Sequence, residues 1–284
     1  MKIRALRVLA CLALCFALAS PVYATESDVT ATVNGTTAES GVTVTVNGTA
    51  IETGFTSQVL NNQTYVSYNS IVTALYPDAV AVWANNQAEV TAAGLKLCIK
   101  PEASYIVANG RYLYVPQGVK VDGYHILVPV RTLCQALGAS VEWDGTTSTI
   151  SITSGTGPIA SGESFYDADD LYWLSRIINA ESGNQSLQGK IAVGNVVLNR
   201  VASTRFPNSV YDVVFQRNQF TPASSGTIKR TPNEESVIAA KLCLDGANTV
   251  GDALFFVNPR VSPNSWASRN CTYVATIGAH AFFA

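Results

Sequence analysis

An internal repeat constrains the first half of this chain more than any single motif does. Residues 64–94 read TYVSYNSIVTALYPDAVAVWANNQAEVTAAG, and residues 126–155 read ILVPVRTLCQALGASVEWDGTTSTISITSG. Val66 aligns with Val128, Leu75 with Leu137, Trp83 with Trp143 and Val90 with Ile150, the first copy being slightly longer near Pro77. Each copy predicts strand, short helix, strand, turn, strand, with Asn85-Asn86 and Asp144-Gly145 in the hairpin turns. Such a unit has one apolar and one polar face, so two copies are expected to bury a shared core. Ahead of them Val42, Val44 and Val46 alternate with polar residues and run into Asn47-Gly48, predicting one more strand and a tight turn.

The first residues read as a targeting segment. Lys2, Arg4 and Arg7 precede an apolar run, Val8 to Ala19, that is shorter than the ~20 residues a bilayer needs. Val22-Tyr23-Ala24 puts small residues where a signal peptidase cuts, so a Sec signal peptide over 1–24, removed after Ala24, is expected. That implies secretion. Residues 25–41 have no apolar period and read as a linker. No other run is long enough for a transmembrane segment.

A length of 284 residues suggests two domains. Only 13% of residues are charged. Losing residues 1–24 removes three positive charges and no negative ones, taking the net charge from -2 to -5. A nucleic-acid partner would need a basic stripe, so none is expected. A neutral, hydroxyl-rich glycan needs aromatic faces and hydrogen bonds more than charge, and agrees with this composition. His125 and His280 lie far apart in sequence and no Cys/His cluster has zinc spacing, so no metal or other cofactor is expected. Four cysteines follow the signal: Cys98, Cys134, Cys243 and Cys271. They predict either neighbouring disulfides, Cys98–Cys134 and Cys243–Cys271, or four buried thiols.

The segments VTVNG, GRYLYVP, HILVPVRTLCQALGASVEWD and TSTISI resemble the copper amine oxidase N-terminal-like (stalk) domain over residues 42–153. The resemblance implies an accessory spacer or wall-anchoring module. His125 alone cannot build a copper site, and reads as a surface strand residue. Residues 154–166 are rich in Gly and Ser and predict an interdomain linker.

From Asp167 the period changes to helical. Asp167, Asp169 and Asp170 suit a helix start, and Leu171, Leu174, Ile177 and Ile178 follow at helical spacing as far as Gly183. Glu181 therefore falls at the C-terminal end of an apolar helix. The macrodipole and apolar walls there both raise a carboxyl pKa, which is what a glycosidase general acid needs. A solvated helix-end glutamate would have the same sequence. Ser186 caps a second helix from Leu187 to about Val201, and Pro207-Asn208-Ser209 starts a third short one over Val210–Phe215. Gln219–Pro222 and Ser224-Ser225-Gly226 predict a loop or hairpin. Thr231-Pro232-Asn233-Glu234 predicts a capping box opening a helix to about Leu244. Short strands are expected over Ala253–Val257 and Tyr273–Ile277, with His280 as a structural histidine in an apolar tail.

The ordered blocks SRIINAESGNQSLQGKIAVGNVVLNRV, RFPNSVYDVVF, QFTP, EESVIAAKLCLDG, ALFFVNP, SWASR and IGAHAFF resemble the SleB/CwlJ-type cell-wall hydrolases, the spore-cortex-lytic family, over residues 167–284. The resemblance implies an α+β chain: a β-rich duplicated stalk domain, then a lysozyme-like, mainly helical catalytic domain with a small β element. It implies an enzyme that cleaves the β-1,4 bond between N-acetylmuramic acid and N-acetylglucosamine in peptidoglycan glycan strands. Glu181 stands where that family's catalytic glutamate stands. Phe220, Thr221, Asn258, Tyr172 and Trp266 are the substrate-binding candidates, each with a core or turn role as the alternative, and Trp173 reads as core. A two-carboxylate hydrolase needs a partner acid, and the next acidic residue after Glu181 is Asp212, whereas a lytic transglycosylase needs Glu181 alone. A non-catalytic wall-binding protein is the remaining alternative.

Overall fold

The computed structural model describes residues 42–52 and 57–284; the expected signal peptide and the linker over 25–41 lie outside the described residues. The described residues belong to one compact unit, Ala38–Ala284, with a β-rich N-terminal region followed by a helical domain. Among them no helix is long and apolar enough to cross a membrane.

Strand β1 (Thr43–Val46) turns through Asn47-Gly48, both at positive φ, into β2 (Thr49–Ala50). Strands β3 (Gln58–Leu60) and β4 (Gln63–Ser67) lead to helix α1 (Tyr68–Leu75). A meander follows: β5 (Val80–Ala84), β6 (Gln87–Ala92), β7 (Leu95–Ile99), β8 (Tyr105–Ala108) and β9 (Arg111–Tyr114). Then come β10 (Lys120–Asp122), β11 (His125–Pro129), α2 (Val130–Leu137), β12 (Ser140–Asp144) and β13 (Thr149–Thr153). The meander is a five-stranded sheet in chain order, and two four-stranded sheets run β12-β13-β1-β2 and β10-β11-β4-β3. In the last of these β4 and β11 are antiparallel with Val66 opposite Val128, the two positions that align in sequence. Strand β1 lies parallel to β13, pairing Val44 with Ile150. One apolar core unites Val66, Ile71, Val90, Val128, Leu133, Leu137 and Ile150.

Two turn expectations fare differently. Asn85 and Asn86 take φ 53° and 57°, as a two-residue hairpin turn requires. Asp144-Gly145 does not form such a turn. Asp144 ends β12, its carboxylate accepts from the Thr146 N–H (2.8 Å) and the Thr147 hydroxyl (2.8 Å), and residues 145–148 make a longer loop. The Thr146 hydroxyl, which also donates to this carboxylate (2.6 Å), together with those bonds holds the Asp144 carboxyl down at about 2.

Residues 154–166 are not a free tether. Gly138 caps α2 at φ 65°, and a Cβ there would stand 1.8 Å from the Gly157 carbonyl, so the segment presses directly on the helix end. The Asn109 amide donates to the Ile159 carbonyl (2.8 Å), the Gly162 N–H donates to the Asn109 carbonyl (2.8 Å), and a short helix α3 (Gly162–Phe165) follows. A Gly/Ser-rich composition permits flexibility, but here the small residues permit close backbone packing.

The helical domain begins with α4 (Ala168–Ser182), whose N-cap Asp167 accepts from the Asp169 and Asp170 N–H groups. Ser186 caps α5 (Leu187–Ala202), and Ser209 caps α6 (Val210–Val214). The expected loop or hairpin after Gln219 is instead a short helix, α7 (Thr221–Ser225), with Pro222 in its first turn and Gly226 closing it at φ 78°. A 3-10 turn over Thr227–Lys229 follows. Helix α8 (Glu234–Leu244) is capped by Asn233, which accepts from the Ser236 N–H, so the cap lies two residues later than the Thr231 box predicted. Strand β14 (Phe255–Val257), helix α9 (Trp266–Asn270), β15 (Tyr273–Ile277) and β16 (His280–Phe283) complete the chain. The apolar tail is thus a strand, central in the sheet order β14-β16-β15. Helix α5 is buried on all sides, as expected for a helix crossing the domain centre.

Candidate active site

Glu181 lies in the last turn of α4, half-buried. Burial alone raises its carboxyl pKa, with no hydrogen bond or charged neighbour offsetting the shift. At 100° per residue it shares a helix face with Ile177, Ile178 and Leu174, all buried in the core. The apolar spacing that forms the helix therefore also desolvates its one terminal acid.

The end of α4 is tied down by neighbours. Asn179 Oδ1 accepts from the Asn233 N–H (3.0 Å) and the Ser236 hydroxyl (3.4 Å), and the Gly183 carbonyl accepts from the Asn233 amide (3.1 Å). Buried Ser182 donates to the Ile178 carbonyl at 2.7 Å. Beyond it Gln185 Oε1 accepts the N–H of Ala279, in the turn between β15 and β16. The sheet β14-β16-β15 is thereby held to the Glu181 end of the helix.

Several of the sequence candidates gather on that sheet. Phe220, at the N-cap of α7, stacks toward Phe256 of β14 at 6.4 Å, and Phe256 meets His280 edge-on at 5.2 Å. Trp266 stands edge-on to Phe255 at 5.4 Å and is 56% exposed, which leaves an aromatic face open. Thr221 is exposed at the first position of α7, and α7 packs on α4. Asn258 follows β14, but its Oδ1 accepts from the Arg260 N–H (3.0 Å), so the side chain builds the turn.

Two candidates make packing contacts. Phe220 is only 5% exposed and lies 5.2 Å from the Arg200 guanidinium, within the helical core. Tyr172 sits nine residues before Glu181, half a turn out of phase and near the other end of α4. Its ring meets Trp173 at 4.8 Å and carries the Arg176 guanidinium at 3.6 Å, in a separate cluster with Tyr211 and Phe215. Trp173 is half-buried in that cluster, in keeping with a packing role.

Asp212 is exposed and engaged locally: it accepts from the Ser209 hydroxyl at 2.7 Å while its N–H donates back at 3.0 Å. Of the two alternatives for the cysteines the thiols are found: all four are free, with Cys134 and Cys243 buried and Cys98 and Cys271 partly so. Cys243 is buried between α8 and α5, pointing at the Ile191 carbonyl (3.4 Å), while Cys271 lies beyond α9 against the separate cluster of Ala267, Ala281 and Phe283. Cys134 is buried in α2, which pushes its thiol up to about 12, and Cys98 lies half-buried on β7. His280 is buried with Nδ1 lacking a hydrogen-bond partner among the described residues, and burial lowers its pKa, so the expected satisfied histidine is not found at this nitrogen.

Sequence reasoning missed Gln185, Asn179, Lys190 and Glu235. Glu235 reads as a cap residue, yet it pairs with the buried Lys190 ammonium. An unpaired lysine in the otherwise apolar α5 is the sequence signal that a carboxylate had to reach it. Among the described residues no group of His, Cys, Asp and Glu side chains could hold a metal ion.

Residues 184–283 match the family model Cell Wall Hydrolase, the match starting just after Glu181, and residues 45–152 match Copper amine oxidase N-terminal domain. The spore cortex-lytic enzyme of Bacillus cereus is 33% identical over 117 residues, covering 41% of this chain and 45% of that protein. That of Bacillus subtilis (strain 168) is 30% identical over 117 residues, covering 41% of this chain and 38% of that protein. The chain thus spans less than half the length of these curated relatives. The solved catalytic domain of the germination-specific lytic transglycosylase SleB from Bacillus anthracis is 32% identical with a TM-score of 0.40, covering 44% of this chain and 100% of that one. From its helical end to its β-rich start, this chain carries a SleB/CwlJ-type cell wall hydrolase domain preceded by a copper amine oxidase N-terminal-like domain.

Proposed function

We propose that the protein degrades peptidoglycan as a lytic transglycosylase, cutting the β-1,4 bond between N-acetylmuramic acid and N-acetylglucosamine. The observation that carries this reading is Glu181: one carboxyl at a helix end, held half-buried with its pKa raised by burial, immediately ahead of the region that matches the cell wall hydrolase family. Protonated, it gives its proton to the leaving glycosidic oxygen as the bond to the muramoyl C1 breaks. As the carboxylate it then takes the proton of the muramoyl 6-hydroxyl, whose oxygen bonds to C1 and closes a 1,6-anhydro ring. The proton returns to Glu181 and no water is consumed. A hydrolase would need a second carboxylate across the bond. The local engagement of Asp212 supports the one-carboxylate scheme.

Within this reading the chain is exported by the segment before Ala24 and acts on the cell wall. The domains run 42–153 and 167–284, the second lysozyme-like, the first a duplicated unit supported by the Val66–Val128 pairing. Trp266 and Thr221 remain as substrate contacts. Product mass tests the chemistry. Transglycosylation leaves anhydromuramoyl ends about one water lighter than the reducing ends of a hydrolase, and reducing ends as the sole product would replace this scheme with hydrolysis.

A further inference from the structure

Gln185 is the joint at which three elements meet. Its N–H donates to the Ser182 carbonyl at 2.8 Å, closing the turn off α4. Its carbonyl accepts from the Lys190 ammonium of α5 at 2.8 Å, and the same ammonium pairs with Glu235 of α8. Lys190 is 2% exposed, so this cation is spent almost wholly on fixing that carbonyl and that carboxylate. The Gln185 side chain then reaches across to the sheet, where Oε1 accepts the Ala279 N–H at 3.1 Å. Gly278 beside it has φ +58°, and a Cβ there would stand 2.2 Å from Gln185 Oε1. Glycine at 278 is thus required by the turn and again by the glutamine.

We propose that Gln185 is a positioning residue: it holds the Glu181 end of α4 at a fixed offset from the β15–β16 turn and the sheet bearing Asn258 and His280. The proposal rests on Glu181 being the catalytic acid. A glutamate that must meet the glycosidic oxygen and then the 6-hydroxyl tolerates little displacement, since a misplacement of about 1 Å can cost ~100-fold in rate. Gln185 acts through the backbone of the turn and touches no reacting atom.

The test uses the full chain and insoluble peptidoglycan, with Glu181→Gln assayed in parallel. Gln185→Ala removes the acceptor and is expected to lower kcat about tenfold, with KM unchanged and the melting temperature within a few degrees of the parent. Gln185→Glu keeps an oxygen at the same reach and is expected to restore most of kcat. Gly278→Ala pushes a methyl into the same oxygen and is expected to lower kcat as well, less so in the Gln185→Ala background, where the oxygen is gone. If Gln185→Ala does not fold, the Gln185→Glu and Gly278→Ala results decide. Parental kcat in Gln185→Ala, or a Gln185→Glu variant as impaired as Gln185→Ala, overturns the positioning role. With Glu181→Gln inactive, that result leaves the Glu181 reading intact; activity in Glu181→Gln removes both.

Discussion

A carboxyl in the last turn of a helix faces the negative pole of the macrodipole, and Glu181 is also half-buried against Ile177 and Ile178. That burial favours its protonated form, so two pH effects follow. The rate of glycan cleavage falls as pH rises through the raised pKa, because the acid is lost; a pH–kcat profile whose alkaline limb is unaltered by mutations that expose residue 181 contradicts this. For stability, a carboxyl with a raised native pKa favours the fold fully below its unfolded value and loses that contribution as pH rises through the native value. Glu181→Gln should therefore raise the melting temperature relative to the parent at pH 8, with the gain shrinking toward pH 4, measured by thermal unfolding at both. The position of Glu181 was legible in sequence because a helical apolar period and a following glycine mark a helix end. The packing of Phe220 and Tyr172 was not legible, because an aromatic residue near a site motif looks alike in sequence whether it faces a groove or a core. Gln185 was illegible, since its partner Ala279 is 94 residues away.

At the scale of elements, the capping residues Asp167 and Ser186 were readable because capping is local chemistry. The short α7 was not: Thr221-Pro222 followed by Gly226 suits a turn as well as one turn of helix, and packing against α4 decides. The close crossing of α4, α5 and α8 rests on Gly194, where a Cβ would stand 2.7 Å from Cys243 Sγ and 2.8 Å from Ile178 Cδ1. Gly194→Val should cost about 1–3 kcal/mol by overpacking, read as a lowered denaturant midpoint, and the added Cys243→Ala change should recover part of it. A Gly194→Val variant as stable as the parent would mean that the helices are less tightly crossed. The same packing keeps Cys243 a thiol. Alkylation under denaturing, non-reducing conditions should modify all four cysteines from Cys98 to Cys271; blocked pairs would reinstate the disulfides.

Across the whole molecule, the β-rich region is clasped to the helical domain and does not act as a loose spacer. Arg111 of β9 donates to Asp245, just past α8, with Nε at 2.8 Å, and Phe165 stacks on its guanidinium at 3.3 Å. Tyr166 donates its hydroxyl to the same carboxylate and accepts the Tyr112 N–H at 3.1 Å. Tyr105, Tyr112 and Tyr114 pack on the helical core. Removing Asp245 strands a buried guanidinium, so Asp245→Ala should cost about 3–5 kcal/mol and split thermal unfolding into two transitions. A single unshifted transition contradicts the clasp. Beside it an open cleft of about 1210 Å³, lined by Asn109, Pro158, Tyr166 and Lys241, reaches Ala168 and Leu171 at the start of α4. That places it roughly 20 Å along the helix from Glu181 at 1.5 Å per residue, so this cleft is a seam beside the clasp and is separate from the Glu181 end of α4. The central claim turns on the one carboxyl there. Incubating parent and Glu181→Gln chains with peptidoglycan, and following soluble muropeptides by mass spectrometry, tests it most directly. The account predicts anhydromuramoyl fragments from the parent and none from a folded Glu181→Gln variant; fragments released by that variant at the parental rate would contradict it.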